Sequence, residues 1–247
     1  MDEDHKLTKK EKRELRRQEW QEKAQKEAKS SKIKRFTIWT GIVIVFLLVG
    51  FVLFQSITSP SPQTSTQTIN IAPVSSRDIT EGNSKAKVTL IEYADFQCPA
   101  CAAYHSLVDQ LLKDYKNKIF YVYRIFPLTD AHQNALISAQ AAYAAYQQGK
   151  FFQYDDLLFN KQATWENLTN PTNVFADYAK SLNLDLNKFQ TDINSSQTKK
   201  YVQDSKNEAL NEGILQTPSF FINGHLITNP SDYAGFKQLI DDALSKK

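Results

Sequence analysis

Two cysteines are all that this 247-residue sequence contains, and both fall within four residues, Cys98-Pro99-Ala100-Cys101. Structural disulfides normally staple segments far apart in sequence, and a four-residue loop removes too little chain entropy to stabilise much. The spacing suits chemistry instead. At the first turn of a helix, residues i and i+3 share a face with Cα atoms about 5 Å apart, inside the window a disulfide accepts. Cys98 at the helix N-terminus can be exposed while Cys101 lies one turn deeper. Unpaired N–H groups and the positive end of the dipole there favour a thiolate on Cys98, lowering its pKa below the usual ~8.5. A more acidic Cys98 is a better leaving group and makes the disulfide form oxidising. Pro99 fits the first helical turn, where its missing N–H costs nothing.

Other uses of such a pair find little support. Zinc wants four ligands, and His5, His105, His132 and His225 have no spacing that completes a set. A c-type haem attachment needs His directly after the second Cys, where Ala102 stands. Two idle buried thiols remain an alternative. The sequence assigns no metal and no cofactor.

The elements around the pair decide how it is presented. Lys87–Tyr93 reads as a strand, and a helix follows from the cysteines through about Lys116. Ile119–Phe126 reads as a second strand, ended by Pro127. Helical patterns then occupy about 129–213: an Ala-rich run over Ala131–Gln148 closed by Gly149, then 151–160, 171–182, 185–193 and 196–212. Strands are expected at Ser219–Ile222 and His225–Thr228 around Asn223-Gly224, a strong hairpin signal, and a last amphipathic helix over Tyr233–Leu244. The order β-α-β, helical block, β-β-α is an α/β fold with a helical insertion, whose first two strands pair in parallel through a crossover helix. Phe151, Phe152 and Tyr154 read as core of the insertion.

Two further positions bear on the chemistry. Pro218 after Thr217 stands where a strand begins. An ordinary trans proline is allowed there, and a cis bond would turn the chain and bring Thr217's backbone toward Cys98, where an extended substrate could pair with it. Glu92 lies six residues before Cys98 among Leu90, Ile91, Tyr93 and Phe96. It either faces solvent or is a buried carboxyl able to relay protons to the thiols.

The chain is divided unevenly. Residues 1–35 carry 13 Lys/Arg and 8 Asp/Glu, and the remainder 17 and 19, so the overall +3 hides a basic tail and a nearly neutral domain. The tail reads as solvated, with contact to anionic lipid as the alternative. Nothing in the domain has the basic stripe of a nucleic-acid partner. Residues 36–54 (FTIWTGIVIVFLLVGFVLF) hold no charge. At 1.5 Å per residue they span about 28 Å, enough to cross the ~30 Å apolar core of a bilayer. Lys32, Lys34 and Arg35 precede the run and no Lys or Arg follows before Arg77, which places the N-terminus in the cytoplasm and the domain outside. The apolar run and charged leader are both too long for a cleaved signal peptide, so an uncleaved anchor is expected. Ser/Thr/Pro-rich residues 55–76 read as a linker, and 77–247 as the domain.

The segments LIEYADFQCPAC, YRIFPL with His132 and the Ala-rich helix, GKFFQYDDLLF, and QTPSFFINGH, in that order, resemble the DsbA-like thioredoxin-fold oxidoreductases. The likeness covers roughly residues 74–245 and is greatest to the membrane-anchored or lipid-anchored forms of bacteria lacking a conventional periplasm. It implies a thioredoxin-like fold with a helical insertion, Cys98 as attacking cysteine, Cys101 as its resolving partner, Glu92 as the buried acid, and Pro218 as a cis-proline after Thr217. It also implies reduced or unfolded secreted proteins as clients and a quinone-linked membrane thiol oxidase as the source of oxidising equivalents. Well-known oxidases of this family have His where Ala100 stands, so a less acidic Cys98 and a weaker oxidant are expected here. A reductase or isomerase on the same fold, and a non-catalytic tethered binding module, are the alternatives.

Overall fold

The computed structural model describes residues 69–246, which belong to one compact unit, Gln67–Lys247. The expected tail 1–35, the apolar segment 36–54 and the linker up to residue 68 lie outside the described residues. Among the described residues, no helix is long and apolar enough to cross a membrane.

Five strands form one sheet in the order β1-β3-β2-β4-β5. The central strands, β2 (Val88–Ala94) and β3 (Ile119–Ile125), are parallel, with Leu90 opposite Tyr121 and Glu92 opposite Tyr123. Both are apolar along nearly their whole length because both of their faces are covered, as parallel pairs require. Helix α1 (Pro99–Tyr115) connects them, burying the stripe Cys101, Val108, Leu111 and Tyr115. β4 (Ser219–Ile222) runs antiparallel to β2, and β5 (His225–Leu226) closes that edge. Asn223 and Gly224 join them with φ of 51° and 82°, the two left-handed residues that a tight hairpin matching strand twist demands.

Between β3 and β4 stand the five helices of the insertion: α2 (Ala135–Tyr146), α3 (Phe151–Asn160), α4 (Thr172–Ser181), α5 (Leu186–Asn194) and α6 (Ser196–Asn211). Helix α2 is buried almost all round, its alanines letting neighbouring helices approach closely. Phe151 and Tyr154 lie in the core, and Phe152 packs against it. Helix α7 (Tyr233–Ser245) ends the domain, its start capped by the Asp232 carboxylate, which accepts from the Gly235 N–H.

The fold is the thioredoxin-like α/β fold with a helical insertion. It departs from the sequence reading in four places. An additional strand, β1 (Ile79–Gly82), pairs antiparallel with β3 at the sheet edge. It has a single buried residue, Ile79, and so no alternation to betray it. Helix α2 begins at Ala135 rather than Ala131, because Ala131 and His132 donate to the Leu128 carbonyl in turns. β5 stops at Leu226 rather than Thr228, with one further bond from the Ile227 N–H to the Phe220 carbonyl (3.0 Å), after which the Asn229 side chain takes the Pro218 carbonyl (2.8 Å). Ile69 and Ile71, read as linker, pack against a second, smaller core of Ile91, Tyr93, Val122 and Phe221 on the opposite face of the sheet.

Candidate active site

Cys98 is the N-cap of α1, in extended conformation (φ −71°, ψ 121°), with Pro99 at the first helical position. No side chain caps this end. The first-turn N–H groups of Ala100 and Cys101 are therefore available to the Cys98 sulfur, and both favour its anion. Cys101, one turn on, is fully buried, and Cys98, expected to be exposed, is itself buried, with 7 % of its surface accessible. Both are free thiols.

The cis peptide bond Thr217–Pro218 lies opposite this helix start. The Cys98 thiol donates to the Thr217 carbonyl at 3.4 Å. The Thr217 hydroxyl is buried and has no partner there. It is thus free to donate to sulfur when Cys98 ionises.

The two thiols are driven apart in acidity. Cys98 is held down to about 5, first by the hydrogen bond it accepts from the Cys101 thiol. Burial works the other way, and the Thr217 side chain and the backbone N–H groups of Cys101 and Ala100 add to the lowering. Cys101 is pushed well above its ordinary value by burial, then by its bond to Cys98 and by the charges of Cys98 and Glu92. Donors from the helix start, the second cysteine and Thr217 lower Cys98 with no charged group at position 100.

Glu92 lies inside the protein, 2 % exposed, on the sheet face that holds Leu90 and Tyr121. It accepts a hydrogen bond from the Tyr121 hydroxyl. Burial pushes its carboxyl up to about 7, against that bond and the charge of His105. The structure therefore brings Cys98, Cys101, Thr217 and Pro218 together at one surface and places Glu92 in the interior, where its charge reaches Cys101.

The loop that presents Cys98 is held by residues the sequence did not single out. Asp95, buried, accepts from the Gln97 N–H (2.8 Å), the Leu128 N–H (2.9 Å) and lies 2.7 Å from His132 Nδ1. Its carbonyl receives the Cys98 N–H (3.1 Å). Gln162 donates to the carbonyls of Phe96 (2.8 Å) and Cys98 (3.1 Å) from the short 3₁₀ turn that follows α3. Asp95 leaves a local signal, an acidic residue three before a helix N-cap. Gln162 leaves none, being 64 residues away.

A free thiol pair at a helix start, facing a cis-proline segment across a thioredoxin-like sheet, is the arrangement of the thiol–disulfide oxidoreductase class. The family described as thioredoxin matches residues 75–242, and the chain belongs to it. Among solved structures, the chain resembles alpha-DsbA1 of Wolbachia pipientis, with 26 % identity, a TM-score of 0.62, and coverage of 69 % of this chain and 92 % of that one. It shares the fold of BdbD from Bacillus subtilis (oxidised), with 20 % identity, a TM-score of 0.63, and coverage of 72 % and 98 %. The Na(+)/H(+) antiporter NhaA 1 of Salinispora arenicola is 37 % identical over 148 residues, 60 % of this chain but 22 % of the antiporter. The chain thus spans roughly a quarter of the length of the curated relatives it matches.

Proposed function

We propose that this chain is a membrane-anchored, extracytoplasmic protein disulfide oxidase, donating the Cys98–Cys101 disulfide to reduced secreted or surface proteins. The observation that carries the direction is the opposed acidity of the two thiols. Stabilising the Cys98 anion stabilises the reduced protein, and a pair whose reduced form is stabilised gives up its disulfide readily. The likeness to alpha-DsbA1 supports the same class.

In the proposed cycle a client thiolate attacks Cys98 Sγ. A client–Cys98 disulfide forms, the Cys98–Cys101 bond breaks, and Cys101 leaves as a thiolate that takes up a proton. Glu92, titrating near neutrality in the interior, is the group suited to relay that proton. An extended client lies along the Thr217–Pro218 segment. A second client thiolate then attacks the client sulfur of the mixed disulfide, and Cys98 leaves as the stabilised anion. The client has lost two electrons and the cysteine pair has gained them. Their removal is assigned to a quinone-linked thiol oxidase of the membrane in which residues 36–54 anchor the chain, with the N-terminal tail in the cytoplasm.

The reduction potential of the full-length chain in detergent tests the direction. The expected value lies well above the roughly −270 mV typical of thioredoxin. A value at or below it assigns the chain to reduction of disulfides and overturns the oxidase reading.

A further inference from the structure

Away from the cysteines, a cleft of about 140 Å³ opens between α1 and α3, lined by Glu81, His105, Asp109, Tyr121, Asp155 and Asp156 among others, with no Lys or Arg in its wall. His105 lies on α1 one turn beyond Cys101, and Asp155 and Asp156 are adjacent on α3. One ligand atom from each of the three lies within 4.8 Å of the other two, the one such cluster among the described residues. From this cleft we infer a binding site for a single divalent transition cation, held by the imidazole of His105 and the carboxylates of Asp155 and Asp156.

The alternative is an ion pair between an imidazolium and the two carboxylates, both of which lie within ion-pair range, but it leaves buried polar atoms without partners. Nδ1 stands 3.4 Å from Asp155, beyond the reach of a good hydrogen bond. Nε2 is 3.0 Å from Asp156 but is buried and makes no hydrogen bond. Asp155 Oδ1 is likewise buried and without a donor, on a side chain 8 % exposed. Buried carboxylate oxygens and ring nitrogens without partners are costly, and a cation satisfies them together. Lys113 occupies Asp109 at 2.7 Å, so Asp109 is no ligand. Glu81 lines the same cleft but lies outside the cluster.

The donor set selects the ion. One imidazole nitrogen with two carboxylate oxygens suits Zn²⁺ or a neighbouring first-row cation, while Ca²⁺ and Mg²⁺ prefer oxygen alone. Three protein ligands leave coordination positions for water. The Phe159 ring, 5.0 Å from the imidazole, covers the other side of His105 and limits its rotation. Asp156, half-exposed, has the freedom to close the last ångström around the ion.

Co²⁺ serves as the probe, because its visible spectrum separates thiolate ligands from nitrogen and oxygen ligands. In the full-length chain carrying Cys98→Ser and Cys101→Ser, one Co²⁺ per chain is expected to bind below about 1 mM, with d–d bands and no thiolate charge-transfer band. Adding His105→Gln or Asp155→Asn should weaken that binding at least about tenfold. Asp156→Asn, at the more exposed ligand, should do so with the near-ultraviolet circular dichroism unchanged. Absence of saturable binding in the double-serine chain overturns the site, and so does binding that all three further substitutions leave intact.

Discussion

At the scale of single residues, the chemistry turns on a proton shared unequally between two sulfurs. Alkylation of Cys98 as a function of pH is expected to follow an ionisation near 5, far below the ordinary thiol value of 9.0. Replacing Thr217 by Val removes the one side-chain hydroxyl facing that sulfur and should raise the ionisation by about one unit, the worth of a hydrogen bond to a charged group. A variant whose alkylation profile is unchanged removes Thr217 from the account. Glu92→Gln should leave the Cys98 profile nearly in place but flatten any inflection near 7 in the rate of the step that protonates Cys101. The cysteine pair was legible in the sequence because spacing alone dictates its reach. The burial of Glu92 was half legible: apolar residues flank it on both alternating faces, Leu90 on one and Ile91 and Tyr93 on the other. A strand covered on both sides leaves no solvent face for a carboxyl, so the choice needed only the knowledge that the strand was central.

At the scale of elements, the start of α1 is presented by a loop tied from several directions. Gln162→Ala leaves the buried Phe96 carbonyl without its donor, while the Cys98 carbonyl keeps only the Ala102 N–H. A loss of about 1–3 kcal/mol in stability is expected, measured by denaturant titration, together with a shift in the Cys98 ionisation that a purely distant packing defect would not cause. Helices α3 to α6 of the insertion were read to within a residue or two, since each has a recognisable break at either end. β1 was not seen, because an edge strand held by one buried isoleucine carries no pattern. The true start of α2 was also hidden. Asn134, just before it, spends its side chain on the carbonyls of Trp165, Glu166 and Leu168, bonds between segments about 30 residues apart that local sequence cannot announce.

At the scale of the whole molecule, the ionisations become stability. A thiol whose folded pKa is lowered favours the folded state where it is ionised. The reduced protein should therefore gain stability from Cys98 as pH rises from about 5 toward 9, and lose that contribution as pH falls through 5. The oxidised protein has no such group. Glu92, raised from 4.5 to about 7, acts in the opposite sense: its contribution is complete below 4.5 and is lost as pH rises through 7. The melting temperature of the reduced protein relative to that of the oxidised protein should accordingly rise with pH between 5 and 9, and a constant difference would sink the assignment of Cys98. The contact between Cys98 and Thr217 also bridges 119 residues of chain, with the entire helical insertion between them. A nascent polypeptide emerging in order exposes its cysteines long before Thr217 has been synthesised, so the contact between them forms only when the last strands close over the sulfur.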